Sequence, residues 1–137
     1  MKRLLLDANV MIRFLRADHS DHFERAKVLF EQAESGHVRL VLLDAVLAEV
    51  VFVLTSVYEA KRSDVADTLR PFLFHGGIEC PGSKVLDDAL GWFSTKSVDF
   101  LDAYLAAQAL AMKVPVSTFD KDFRKFKDIE FEAPQSS

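Results

Sequence analysis

Arg3-Leu4-Leu5-Leu6-Asp7-Ala8-Asn9 is the stretch from which the fold can be predicted. Three consecutive leucines end at a carboxylate, and a second apolar segment follows from Val10 to Leu15. The pattern predicts a buried strand that turns directly into a helix, with Asp7 at the carboxyl end of the strand. In open α/β sheets that edge is where ligands bind. Taken alone, Asp7 would be interpreted as a turn or helix-capping residue, because aspartate accepts backbone N–H bonds well at such positions.

The length and composition are those of one compact domain. The chain has 137 residues, 12 of them Phe and only 5 Gly, with a mean hydropathy of +0.08, which excludes a disordered or low-complexity chain. We therefore predict a single domain over residues 1–137, with residues 132–137 as a frayed tail.

Charge and cysteine content narrow the class of protein. The formal net charge of −4 argues against a generally basic nucleic-acid binder, although metal ions in an acidic site would offset it. The single Cys80 excludes an intrachain disulfide and a cysteine zinc site, and it fits a reducing cytoplasm. The apolar run after Lys2-Arg3 stops at Asp7, too early for a signal peptide. A cytoplasmic protein without a membrane segment is the resulting prediction.

Helical and strand patterns alternate along the rest of the chain. The pattern predicts, in order, a helix from Asp21, a strand over 38–43, a helix over 45–58 capped by Asp44, a helix over 63–74, a strand over 78–80, a helix from 81–83, an Ala-rich helix over 98–111, a strand over 114–118 and a last helix from Asp120. The helix over 45–58 is apolar nearly all round and is expected to be largely covered.

Four acids share an unusual setting in the sequence. Each lies in strongly apolar surroundings, at a strand end or on a helix expected to be covered: Asp7, Glu49, Asp102 and Asp120. Buried carboxylates are costly unless cations compensate their charge. Because hard oxygen ligands suit Mg²⁺ or Mn²⁺, the acids predict a metal site and hydrolysis of a phosphate ester.

Four motifs in this order resemble a known family. They are Leu-Leu-Asp7-Ala-Asn9, Glu49 within an apolar helix, Asp99-Phe-Leu-Asp102-Ala, and Ser-Thr118-Phe-Asp120-Lys-Asp122-Phe. Over essentially its whole length the chain resembles the PIN-domain nucleases, in particular the VapC-type ribonuclease toxins of toxin–antitoxin pairs. The resemblance implies an α/β fold, a Rossmann-like three-layer α/β/α sandwich with a mainly parallel central sheet.

The resemblance also implies roles for individual residues. Metal binding and catalysis would belong to Asp7, Glu49, Asp102 and Asp120, with Glu49 either a direct ligand or a holder of metal-bound water. Asn9 and Thr118 would orient carboxylates or waters. Asp122 is the alternative to Asp120 as the fourth acid, because their spacing lets either one reach the site or cap the last helix.

Structural interpretations of the same acids remain open. Asp99 is well placed as a helix N-cap, which leaves Asp102 at the third helical position, where an acid also favours the helix dipole. Glu49 has the alternative of pairing with a buried arginine. These interpretations need no metal ion.

Histidines and cations near the motifs have two interpretations each. His19-x-x-His22 has metal-ligand spacing, but without further His or Cys nearby in sequence we interpret these as exposed turn residues. Lys121, Arg124, Lys125 and Lys127 form either a solvated helix face or contacts along an RNA backbone.

A metal-dependent endoribonuclease is the leading hypothesis. The resemblance implies Mg²⁺ or Mn²⁺ as cofactor, an RNA substrate, a toxin role in a type II toxin–antitoxin system, a small cognate antitoxin as partner, and a homodimer formed through helices near Glu49. The alternatives are a catalytically silent PIN-like binding or regulatory module and a PIN ribonuclease of general RNA processing. Phosphoacceptor and Asp-x-Asp phosphotransfer domains are disfavoured because Ala8 and Asn9 follow Asp7.

Overall fold

The computed structural model describes residues 1–135 and divides into two compact units, Met1–Ser83 and the part of the chain from Lys84 onward. The elements of the first unit are, in order, β1 (Lys2–Leu5), α1 (Ala8–Arg16), α2 (Ser20–Glu34), β2 (Val38–Val41), α3 (Asp44–Ser56), α4 (Arg62–Leu73) and β3 (Ile78–Glu79). The strands and helices predicted for this part of the sequence are all present. Their ends differ from the predicted ones by a few residues.

A parallel three-stranded sheet in the order β1-β2-β3 is the frame of the first unit. In its register Leu4 lies beside Leu40, and Leu40 lies beside Ile78. Leu40 is fully buried, as expected for the apolar central strand of a sheet covered by helices. Because the strands are parallel, the loops that follow their carboxyl ends share one edge of this sheet. Asp7 lies in the loop after β1.

Aromatic side chains hold α1 and α2 together. The ring of Phe14 in α1 stacks on Phe30 in α2 at 4.4 Å between centroids, and Phe72 of α4 meets Phe14 edge-on at 6.4 Å. Offset and edge-on ring pairs of this kind stabilise packing beyond the area they bury. The packing fixes the direction in which α1 leaves β1.

The start of α3 differs from the prediction. Asp44 was expected as the N-cap, but Leu43 occupies that position, with an extended backbone and no side-chain cap bond. The carbonyl of Leu43 accepts the N–H of Leu47 at 3.1 Å, so the helix begins one residue earlier than predicted. Asp44 is thus the first helical residue, where its charge favours the helix dipole.

The covering predicted for α3 is incomplete. Leu47, Val50 and Leu54 are buried on one face. The opposite face, which carries Glu49 and Phe52, is exposed, and the ring of Phe52 is 60% exposed. Hydropathy alone does not tell a helix covered on all sides from one with an exposed apolar face.

The second unit contains α5 from the boundary residue Ser83 to Thr95, α6 (Phe100–Met112), β4 (Val116–Ser117), a short 3₁₀-helix (Lys121–Lys125) and β5 (Phe131–Glu132). Strands β4 and β5 pair in parallel. An aromatic core fills the unit, in which Phe93 meets Phe100 at 5.8 Å and Trp92 meets Phe126 at 5.2 Å between centroids. The predicted last helix is therefore one 3₁₀ segment anchored on this core.

The tail prediction is wrong for Glu132. This residue belongs to β5, and its carbonyl accepts the N–H of Thr118 at 3.0 Å. Residues 136 and 137 lie outside the described part of the chain. The single-domain organisation stays a prediction.

The predicted fold class, α/β with parallel strands, is confirmed, since the strand pairs in both units are parallel. Among the helices of residues 1–135, none has the length and hydropathy needed to cross a bilayer.

Candidate active site

Two of the predicted site acids, Asp102 and Asp120, meet within the second unit. Asp102 lies in the first turn of α6, and Asp120 follows β4. Partial burial raises the pKa of Asp102, and the charge of Asp120 together with a hydrogen bond between the two carboxyl groups raises it further. Asp99 and Asp122 act in the same direction through their charges. The unit thus concentrates negative charge around one half-buried carboxyl group.

The loop after β4 fixes the position of Asp120. The hydroxyl oxygen of Thr118 accepts the backbone N–H of Asp120 at 2.9 Å. One carboxylate oxygen of Asp120 accepts the backbone N–H of Asp122 at 2.8 Å and so caps the 3₁₀-helix. Because hydrogen bonds hold both the backbone N–H and the carboxylate of Asp120, this carboxylate has little freedom to turn away from Asp102.

The geometry favours Asp120 over Asp122 as the partner of Asp102. Asp122 influences Asp102 only through its charge. Its carboxylate lies 3.7 Å from the ammonium of Lys125, and its side chain is 52% exposed. Of the two roles predicted for this pair, the helix cap belongs to Asp120, and the role of site acid stays a prediction that its position beside Asp102 favours.

For the RNA cleavage that the resemblance implies, Thr118→Val is expected to lower the rate by about 10- to 100-fold, the range for partners that orient a ligating carboxylate. The substitution keeps the shape of the side chain but removes the oxygen that accepts the Asp120 N–H. Cleavage rates of the purified variants would measure the loss, with Thr118→Ser as the control that keeps the hydroxyl. Equal loss in both variants would show that the methyl packing, not the hydrogen bond, matters.

Asp99 occupies the predicted N-cap position of α6, with φ −66° and ψ 150°. Its side chain makes no capping hydrogen bond. Asp102 is the third helical residue, as the alternative interpretation expected. The carboxylate of Asp99 therefore adds its charge to the surroundings of Asp102 without closing the helix end.

Asp7 and Glu49 belong to the first unit, and both are exposed. Asp7 is the N-cap residue of α1 by its backbone, and its carbonyl accepts the N–H of Val10 at 3.1 Å. Its carboxylate makes no capping bond, which leaves that group available for another role. Asn9 is an exposed residue in the first turn of α1.

Burial of the four acids was predicted wrongly. Within residues 1–135 no charged side chain is buried, and Asp102 is the most enclosed of the four. The apolar neighbours in sequence point to the core from the other side of the helix or strand, because side chains diverge around a helix and alternate along a strand. The alternative pairing of Glu49 with a buried arginine is wrong for the same reason.

Comparison of the chain with known proteins identifies its family. The family described as PIN domain matches residues 4–129, which is most of the chain. The chain belongs to the PIN domain family. The VapC ribonuclease of Aquifex aeolicus (strain VF5) is 24% identical to it over 122 residues, which are 88% of this chain and 90% of that relative. The resemblance drawn from the four motifs is thereby confirmed.

The donor set of this PIN domain consists of carboxylate oxygens. The groups whose charges act on Asp102 are all acids, Asp99, Asp120 and Asp122, and such oxygen donors suit Mg²⁺ or Mn²⁺. Residues 1–135 contain no group of three or more His, Cys, Asp or Glu side chains that could hold a metal ion. The chemistry of the pair fits a divalent ion, and the further ligands stay a prediction.

His19 and His22 of the PIN domain are exposed at the start of α2, as predicted. Nδ1 of His19 accepts the backbone N–H of His22 at 3.2 Å, and the two rings stack at 3.9 Å between centroids. His19 is the N-cap residue of α2. The spacing therefore serves the helix start.

The cations of the 3₁₀-helix have different environments. The ammonium of Lys125 donates to the carbonyl of Ser97 at 3.0 Å, and Nε of Arg124 donates to the carbonyl of Lys121 at 3.0 Å. Lys121 and Arg124 are exposed. Lys125 has a structural contact, while RNA contacts by the three cations stay a prediction.

Phe119 is a residue that the sequence analysis missed. It lies between Thr118 and Asp120 and is 79% exposed. An aromatic residue inside a polar motif was the available signal.

Proposed function

We propose that this PIN domain is a Mg²⁺- or Mn²⁺-dependent endoribonuclease that hydrolyses RNA phosphodiesters. The observation that carries the proposal is the grouping of acids in the second unit: Asp120 lies near enough to Asp102 to raise its pKa, and the charges of Asp99 and Asp122 act in the same direction. Repulsion between the negative charges makes such a cluster of carboxylates unfavourable by itself, and a bound divalent cation removes this repulsion. The VapC ribonuclease relative supports RNA as the substrate class.

Asp102 and Asp120 would hold the metal ion, together with Asp7 and, directly or through water, Glu49. The assignment of Asp7 and Glu49 rests on the family resemblance. A bound Mg²⁺ or Mn²⁺ supplies Lewis-acid stabilisation of the phosphoryl oxygens and lowers the pKa of the attacking water.

The residues around the acids keep them in position. Thr118 fixes the backbone at Asp120, and the turn to Asp122 fixes its carboxylate. Lys121 and Arg124 are exposed cations of the 3₁₀-helix that Asp120 caps, and they would contact the phosphate backbone of the RNA. Asn9, in the first turn of α1 behind Asp7, would orient that carboxylate or a water molecule.

The proposed cellular role is that of the toxin in a type II toxin–antitoxin system, inhibited by a small cognate antitoxin in the cytoplasm. The VapC relative supports this role. A homodimer through α3 is proposed as well, supported by two exposed apolar side chains: Phe52 (60%), on the face of α3 that carries Glu49, and Val57 (67%), the residue that ends the helix. Exposed apolar side chains that lie close together are typical of a surface that another chain covers.

Cleavage of RNA by purified wild-type protein and by Asp7→Asn, with Mg²⁺, Mn²⁺ or chelator, tests the function. We expect metal-dependent cleavage that stops in chelator and falls by at least about 100-fold in Asp7→Asn. The reason is that removing a metal ligand lowers activity more than removing a residue that only orients a ligand. Asp67→Asn is the matched control, because it removes an exposed acid from α4.

Two outcomes would contradict the proposal. Equal cleavage by the wild type and Asp7→Asn would indicate a contaminating nuclease. Absence of cleavage with every metal and RNA would favour the catalytically silent binding module.

A further inference from the structure

Phe119 is the exception among the aromatic side chains of the second unit. The others that the structure describes there are buried or half-buried: Trp92, Phe93, Phe100, Tyr104, Phe123, Phe126 and Phe131. Phe119 is 79% exposed, more than any other of the chain's phenylalanines. An exposed ring is unfavourable in water, so this side chain gains free energy from any flat apolar partner.

The backbone on both sides of Phe119 is fixed. Thr118 is half-buried, and its hydroxyl oxygen accepts the N–H of Asp120 across Phe119. The Cα atoms of Phe119 and Asp120 are about 3.8 Å apart, as in any trans peptide. The Cα atom that carries the ring is therefore held next to the Cα atom of one of the proposed metal-binding acids.

The surroundings of the ring fit a strand of RNA better than an apolar protein surface. Its neighbours along the chain, Ser117, Asp120 and Lys121, are polar and exposed, so the ring is the one apolar side chain exposed in this loop segment. Apolar protein interfaces form contiguous patches of several hundred Å². RNA, in contrast, alternates flat bases with phosphates, and the exposed cations Lys121 and Arg124 follow within five residues of the ring in the chain.

We infer that the ring of Phe119 is a stacking platform for a nucleobase beside the scissile phosphate. The inference rests on the proposed ribonuclease function. Stacking accepts every base, because each has a flat face. Phe119 would thus bind and position the strand at the acids without selecting its sequence.

Kinetics of a labelled single-stranded RNA of mixed sequence, cleaved with Mn²⁺, test the inference. Phe119→Ala is expected to raise KM by about 5- to 150-fold, the range of base–aromatic stacking, with kcat retained, since the stack is equally present before and during reaction. Phe119→Leu keeps an apolar side chain without a ring and should behave like Phe119→Ala. Phe119→Trp should restore the wild-type KM.

Phe74→Ala is the matched control, because Phe74 is 63% exposed but lies at the end of α4, between Leu73 and His75. It should leave KM unchanged. RNA in which abasic residues replace the nucleotides should bind the wild type as weakly as the base-containing RNA binds Phe119→Ala, since the sugar–phosphate chain offers no ring.

Fluorescence separates this inference from the proposed function. In a Phe119→Trp, Asp7→Asn double variant, which does not consume the RNA, we expect the indole emission to be quenched on adding RNA, against the constant signal of Trp92, which packs on Phe126. Unchanged emission, or a wild-type KM in Phe119→Ala, would overturn the stacking role even where cleavage occurs. Absence of cleavage by the wild type would count against the ribonuclease, while quenching would still support stacking.

Discussion

Asp102→Asn is expected to reduce RNA cleavage by at least about 100-fold, which is more than the loss of a residue that only orients a metal ligand causes. The same substitution is expected to stabilise the metal-free protein. The amide keeps the shape of the carboxyl group and donates a hydrogen bond to Asp120, but it removes the charge that Asp120, Asp99 and Asp122 oppose. Because Asp102 is half-buried and water screens the repulsion, we expect a gain of about 0.5–1 kcal/mol in the free energy of unfolding in chelator.

The pH dependence of this gain has a definite sign. Folding raises the pKa of Asp102. The ionised carboxylate therefore lowers the free energy of unfolding, and this loss is fully present above the pKa of the folded protein. It disappears as the pH falls below the unfolded value of about 3.9. Urea denaturation of both proteins in chelator should therefore show the largest difference at neutral pH and none in acid.

Added Mn²⁺ should reverse the order of stability. An ion at 100 times its dissociation constant stabilises the native state by about 2.7 kcal/mol, and Asp102→Asn should lose most of that effect. Asp67→Asn controls for the change in net charge. Equal stabilisation of wild type and Asp102→Asn by Mn²⁺, or a destabilised variant in chelator, would contradict a role of Asp102 as a metal ligand.

The parts of the fold that sequence predicts well are those set by local rules. Leu4 and Leu5 lie in β1, and Leu6 directly after it is buried, because an apolar run next to a helical pattern has few other solutions in a small α/β domain. The burial predicted for the strand itself is wrong, since Leu5 is 72% exposed. The Ala-rich segment after Asp99 is helical for the same kind of reason, since alanine has the highest helix propensity. Such features depend on neighbours in sequence.

The environment of the acids could not be predicted in the same way. The setting of Glu49 among apolar residues suggested burial, yet the face of α3 that carries it is exposed, because the direction of a side chain depends on what the helix packs against. The contact between Asp102 and Asp120 joins α6 to the loop after β4. Only the path of the chain between them, including the short strand Val116–Ser117, determines that contact.

Phe123→Ala is expected to lower the free energy of unfolding by about 3–5 kcal/mol, the usual effect of removing a buried aromatic ring. Phe123 is 1% exposed, and its ring meets Phe126 at 5.7 Å and Phe131 at 6.2 Å between centroids. Such a loss is a large fraction of the 5–15 kcal/mol that stabilises a typical domain. Urea denaturation would measure it as a lower midpoint.

Phe119→Ala is the matched control, because it removes the same atoms from an exposed position four residues earlier in the chain. It should change the free energy of unfolding by less than about 0.5 kcal/mol. Equal midpoints for the two variants would contradict the packing of the 3₁₀-helix on the aromatic core.

The two substitutions also separate packing from substrate binding. Phe123 belongs to the 3₁₀-helix that Asp120 caps, so its loss should impair the position of that carboxylate and lower kcat even at temperatures where the variant stays folded. Phe119→Ala should instead raise KM in a protein of unchanged stability. If Phe123→Ala kept a wild-type kcat while folded, the aromatic core would stabilise the unit without positioning Asp120.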